Sequence, residues 1–225
     1  MSQITHPAFI SYPKQATFGR TLPKNKIYEH SGAAAGVREM FVRQVEQIVW
    51  QYKLAPETIN LPAKPGVPEV QIFAIQLKTP EINLDVLRCI DGAVQFPIVF
   101  ELCFDGRTQV IAAYKRPSES DASRWVLSEY FATAWLPSEV QRTAMPLALD
   151  LGSLYEQVLQ RLIPLLSRQQ ESLADLVTRV EQVAAKQRDV EKTASKLAKE
   201  MQFNRKVEIN AALRQLKTEL EQLSR

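Results

Sequence analysis

Beyond Leu165 this chain has no proline and no glycine, and Phe203 is the only aromatic residue of that segment. All seven glycines and all thirteen prolines precede it. A long stretch without either breaker is expected to be helical. Cysteine and histidine are scarce as well: Cys89, Cys103, His6 and His30 are the full set, with no Cys-x-x-Cys spacing. That scarcity argues against a zinc site and a disulfide framework, and both thiols sit in apolar contexts suited to reduced core cysteines. No apolar run approaches the roughly 18 residues of a membrane span, and no secretory leader pattern is visible, so the expectation is a cytoplasmic protein. The few glycines form no Walker loop, no dinucleotide fingerprint and no Gly-x-Ser-x-Gly elbow. No cofactor is expected, and no reaction is established by these residues.

The charge that is present is unevenly placed. Residues 151–225 hold 13 Lys or Arg against 10 Asp or Glu, while the remainder balances at 15 of each. The whole formal excess of +3 therefore belongs to this C-terminal third of the chain. Spread over that length it is too dilute to serve alone as a nucleic-acid signature.

Ahead of the tail, the pattern predicts an α+β domain over residues 1–152. The opening through Gly36 looks loop-rich. Phe41, Val45, Ile48 and Tyr52 fall at spacings of four, three and four and predict a helix from Val37 to Tyr52. Val70 to Leu77, apolar on both faces in its middle, predicts a central strand. A helix is expected from Thr79 to about Asp91, with a stop at Gly92. Ile98 to Phe104 and Gln109 to Tyr114 flank Asp105-Gly106, whose residues both tolerate positive φ, a hairpin signal. Trp125 to Trp135 completes an expected three-stranded antiparallel meander on a mixed sheet.

Residues 153–225 are expected to form a helical arm: one helix to about 166 near Pro164, a long helix over about 168–202, and another over about 206–224. The apolar residues of the long helix run at heptad spacing through Leu173, Leu176, Val180, Val183, Val190, Leu197 and Met201. A second set, Ile209, Leu213, Leu216, Leu220 and Leu223, is out of phase with the first. A narrow apolar seam must bury itself against another helix, so it predicts a coiled coil or a helical hairpin and a partner-binding surface. The phase jump falls in Gln202 to Lys206, either as a stutter in one continuous helix or as a tight turn, for which Asn204 is suited.

Three blocks carry a family likeness: EQIVWQYKLAPETIN (46–60), PIVF (97–100) leading to AYKR (113–116), and QFNRKVEINAALR (202–214). Together they resemble the bacterial domain-of-unknown-function family numbered 4391, over roughly Lys14 to the C-terminus. The resemblance implies no catalytic residue. It implies a partner class, since members are associated with gene clusters of restriction-modification or phage-defence type that hold helicases and DNA methyltransferases.

Two local patterns offer chemistry. Gln76 and Lys78 share a face at the end of a predicted buried strand, and Pro56-Glu57 could supply an upstream acid. Glu57, Gln76 and Lys78 would then form a degenerate nuclease site of PD-(D/E)xK type, in which Lys78 orients a water beside a metal-bound phosphate. Glutamine replaces the usual acidic ligand there. Separately, Lys115, Arg116 and Arg124 lie near Tyr114 and Trp125, with Arg205 and Lys206 at the helical break, a set that could contact phosphates and bases. The expected function is an accessory or scaffold subunit that binds a protein partner, or a second copy, through its arm. A metal-dependent nuclease subunit and a nucleic-acid-binding module are the alternatives.

Overall fold

Strands form where β-branched and aromatic residues cluster, and Pro- and Gly-rich joints set their ends. The computed structural model describes residues 5–118, 121 and 124–225. They divide into two compact units, Met1–Leu162 and Ile163–Arg225.

The first unit runs β1 (Thr5–Ser11), a 3-10 turn (Lys14–Ala16), β2 (Thr17–Thr21), α1 (Lys24–Ser31), α2 (Ala35–Gln44), β3 (Val45–Leu54) and α3 (Pro56–Ile59). It continues with β4 (Val70–Leu77), α4 (Leu84–Ala93), β5 (Ile98–Phe104), β6 (Arg107–Pro117), β7 (Trp125–Ala132), β8 (Leu136–Pro137), β9 (Gln141–Ala144) and α5 (Leu151–Gln160). The main sheet is mixed, in the order β2-β3-β4-β5-β6-β7, with β8 also on β6. Within this sheet, among the described residues, β4 and β5 alone pair in parallel, and α4 provides the crossover between them. At the β5–β6 turn Asp105 and Gly106 take φ of 47° and 68°, the left-handed backbone that tight hairpins require.

One face of the sheet carries the main core. Phe73 and Ile75 of β4 and Phe100 and Leu102 of β5 meet Phe41 of α2 and Leu87 and Ile90 of α4, all fully buried. The opposite face is covered by the parallel pair β1–β9 and by α5. Arg142 of β9 crosses to Glu101 of β5 with two hydrogen bonds, 2.6 and 2.7 Å, and donates a third to Ile10 O at 2.9 Å. Nearby, the buried Tyr12 hydroxyl has no hydrogen-bond partner among the described atoms.

Several expectations need correction. The helix predicted over Val37 to Tyr52 is two elements, α2 ending at Gln44 and the interior strand β3. The register of β3 on β4 shifts between Val45 and Gln47 and again between Trp50 and Tyr52. Each irregularity breaks the period-two alternation, and the remaining apolar spacing imitates a helical stripe. The opening segment is structured: β2 pairs with β3, and β1 pairs with β9 at the far end of the domain. The strand expected to Trp135 stops at Ala132. The helix expected to begin at Thr79 begins at Leu84, where the Asn83 side chain accepts from Asp85 N.

The unit boundary falls after Leu162, not after residue 152, because α5 is part of the sheet's covering layer. Its Tyr155 hydroxyl donates to Ala113 O at 2.8 Å and accepts from Lys115 N at 2.9 Å. These two groups flank Tyr114, where β6 slips register against β7, so Tyr155 satisfies backbone that the ladder cannot.

The second unit consists of α6 (Leu173–Lys199) and α7 (Phe203–Ser224), packed against each other and running antiparallel. A 27-residue helix is about 40 Å long. The break lies at Glu200–Gln202, earlier than predicted, and Asn204, Arg205 and Lys206 are inside the first turn of α7. Asn204 is not a left-handed turn residue. The Glu200 carboxylate instead accepts from the backbone N–H of Met201 and of Gln202, both at 2.9 Å.

Candidate functional site

Glu57, Gln76 and Lys78 do not converge. Because β3 and β4 are antiparallel, Leu54 pairs with Val70 and Val45 with Leu77. Glu57 follows the end of β3 that lies beside the start of β4, whereas Gln76 and Lys78 lie at the end of β4. Eight residues of strand, about 26 Å, separate them. Glu57 is exposed and paired with Lys53 at 2.6 Å, which holds its carboxyl below the usual range. Lys53 also sits 3.3 Å from Glu69.

Lys78 has a structural partner of its own. Its Nζ donates to Val42 O at 2.8 Å, in the last turn of α2. Lys24 reaches Phe41 O and Val45 O at the same helix end. The final carbonyls of a helix lack intrahelical donors and carry the negative end of its dipole, so two cations complete this terminus. Burial and the neighbouring Lys78 push the Lys24 ammonium below its ordinary value. Among the described residues, no three His, Cys, Asp or Glu side chains are placed to hold a metal ion.

The predicted basic cluster is also dispersed. Lys115 is 2% exposed and points into the core. Its Nζ donates to Asp91 O and Val94 O at the end of α4 and lies 3.6 Å from Asp91 Oδ1 and 5.7 Å from the centre of the Trp125 ring. The Tyr130 hydroxyl donates to Asp91 Oδ2. Burial raises the Asp91 carboxyl to about 6, against the opposing pull of Lys115, and lowers the Lys115 ammonium. Lys115 therefore closes a helix end and cannot meet a phosphate. Arg124 is exposed with Asp121 at 3.2 Å. Arg116 is half-buried beside a cleft of about 180 Å³ that Lys64, Gly66, Tyr114, Gly152 and Glu156 also line. Arg205 and Lys206 belong to the other unit and are exposed.

In the second unit, Lys186 of α6 meets Glu219 of α7 at 2.8 Å, an ion pair across the two helices. Val180, Val183, Val190 and Leu197 on α6 and Ile209, Leu213, Leu216 and Leu220 on α7 are all buried or half-buried. Leu173 and Leu176, earlier on α6, are buried too. The apolar seam is thus largely closed within the chain. Met201, predicted as a seam residue, is the exception at 90% exposed. With Phe203 at 78% and Val207 at 54%, it forms an apolar group at the turn end of the pair.

At the opposite end two arginines that the sequence pattern did not single out tie the pair together. Arg179 binds Glu171, Leu223 O and Leu166 O, and Arg168 binds Gln222 O. The available signal was an arginine set directly between the seam residues Leu176 and Val180, where a solvated charge would be misplaced.

The family model described as "Domain of unknown function (DUF4391)" matches residues 10–220, nearly the whole chain. No curated protein and no solved structure matches it. The chain belongs to the DUF4391 family.

Proposed function

We propose that this member of the DUF4391 family is an accessory subunit that docks a partner protein through its C-terminal helical pair, an antiparallel coiled-coil hairpin. The observation that carries this reading is the exposure of Met201, Phe203 and Val207 at the turn, while the seam between the helices is filled from within. Clustered apolar side chains left outside a largely closed helical pair favour burial against another surface. The family's association with helicases and DNA methyltransferases supplies the partner class, in a DNA-modification or phage-defence system.

The nuclease alternative would need Glu57 beside Gln76 and Lys78, and it loses that acid to the far end of β4. A nucleic-acid module would need Lys115 at the surface.

The test is co-expression of the full chain, or of residues 1–162 alone, with a tagged helicase or methyltransferase from the same gene cluster. The full chain is expected to co-purify and the shortened chain to be lost from the complex. Equal recovery of both would remove the helical pair from docking.

A further inference from the structure

We infer that the turn end of the helical pair inserts into an acidic, apolar-floored groove on a partner protein, with Phe203 and Met201 as anchors and Lys199, Arg205 and Lys206 as a charged collar. This rests on the docking reading and names the chemistry of the partner.

The charge distribution is sharper than the overall +3 conveys. Residues 192–208 hold five Lys or Arg against two Asp or Glu, and the rest of the chain balances at 23 of each. The segment that contains the turn is therefore locally basic, as is the opening of the chain, where residues 1–28 hold four Lys or Arg and no Asp or Glu. Among the described residues, none of Lys192, Lys196, Lys199, Arg205 and Lys206 forms an ion pair, whereas Lys186, further along α6, is paired with Glu219. Glu200, the one acid at the bend itself, is folded onto the Met201 and Gln202 amides. It serves the backbone, and it carries a depressed pKa because those amides and the nearby Arg205 and Lys206 favour its charged form.

Along the chain this charge flanks an apolar centre. Met201 and Phe203 flank Gln202 at the bend, and Val207 is one helical turn beyond Phe203. An exposed apolar centre with a polar rim is the layout of a protein–protein anchor, where a few large side chains fill a pocket and charges at the edge steer the approach. An unbranched methionine adapts to such a pocket.

The same features disfavour other occupants. A single-stranded nucleic acid would want several flat rings and an unbroken basic track, but Phe203 is the only ring, and Glu200 and Glu208 interrupt the cations. A membrane surface would want a long apolar helical face, and here the inward faces of α6 and α7 are occupied. A second copy would bring an equally basic turn against this one.

Binding of full-length protein is measured by fluorescence anisotropy against four probes. They are an amphipathic helical peptide with a Leu/Phe stripe flanked by Glu, the same peptide with Lys for Glu, an oligothymidylate, and vesicles containing anionic phospholipid. The Glu peptide is expected to bind, to weaken with added salt, and to lose about tenfold in affinity with Phe203→Ser and again with Arg205→Glu/Lys206→Glu. The Lys peptide is expected not to bind. All substituted positions are exposed, and thermal melts establish that the variants remain folded. Absence of Glu-peptide binding, binding indifferent to both variants, or turn-dependent binding that prefers oligothymidylate or vesicles would overturn the inference. In the co-expression experiment, a partner kept by both variants but lost with residues 163–225 removes this inference and leaves the docking reading standing. A partner kept without those residues removes both.

Discussion

Arg179 grips Glu171 with a two-pronged fork, Nε to Oε1 at 2.7 Å and Nη2 to Oε2 at 2.8 Å. Its remaining bonds, to Leu223 O at 3.0 Å and Leu166 O at 2.7 Å, reach the end of α7 and the segment before α6. One planar side chain thereby joins three stretches of the second unit. A lysine offers no such fork. Arg179→Ala is expected to destabilise this unit by about 3 kcal/mol, and Arg179→Lys to recover little of it. Amide hydrogen exchange at the C-terminal end of α7 reads the loss; unchanged protection there in both variants would contradict the assignment.

The same fork sets an acid limit. Hydrogen bonds from Arg179, helped by the Arg168 amide, hold the Glu171 carboxyl at about 2, down from an ordinary value of 4.5. A carboxyl lowered on folding stabilises above its unfolded value and loses that contribution as pH falls through the folded one. The helical pair should therefore loosen progressively between about pH 4.5 and 2, as followed by helical circular dichroism. Glu171→Gln should be weaker at neutral pH and lose less across that window, the remaining dependence coming from Glu219 and Glu200, whose carboxyls are also lowered.

The buried pair of Lys115 and Asp91 has the opposite sign. With its carboxyl raised to about 6, Asp91 is favoured in its protonated form by folding, so its unfavourable contribution grows as pH rises from 3.8 through 6. Lys115→Met leaves that carboxylate without its cation and should cost about 3 kcal/mol at neutral pH. The loss should shrink toward pH 5, where Asp91 takes up a proton. Urea unfolding at several pH values measures it, and a pH-independent difference would argue against coupling through Asp91.

Tyr155→Phe removes a hydroxyl that serves two backbone groups at the irregularity in β6. Leaving Lys115 N and Ala113 O without it should destabilise the first unit by about 2 kcal/mol. Denaturant titration of residues 1–162 tests this, and a loss near zero would mean that the bulge finds other partners.

Lys78→Ala should behave as the loss of a helix-end contact, with a stability change of about 0.5 kcal/mol at α2. In a magnesium-dependent DNA cleavage assay it should match the unsubstituted chain. A selective loss of cleavage would restore Lys78 as a catalytic candidate.

What the sequence made legible follows the range of the interactions concerned. Asp105-Gly106 could be placed because the requirement for left-handed backbone is met by the two turn residues themselves. The two helical segments of the tail could be separated because the phase of an apolar stripe is a local property. β3 could not be recognised, since its two register shifts erase the alternation that marks a strand and become visible only against β4. Among the candidate site residues, Lys78 and Lys115 looked available because their partners lie far away in sequence: Val42 in one case, Asp91 and Val94 in the other. A cation that completes a distant helix and one that awaits a phosphate are spelled identically.

The bend at Glu200–Gln202 uses no left-handed backbone: Glu200 has φ −72° and ψ 135°, and Gln202 has φ −83° and ψ 125°. Many hairpins dictate the residues at their apex, because only glycine or asparagine tolerates the required geometry. Here the reversal is made from ordinary extended backbone with one carboxylate bracing two amides, so the apex side chains carry no conformational duty. Met201 and Phe203 can be exchanged for most residues without unmaking the bend. The side chains at the apex can therefore vary without altering the architecture that presents them.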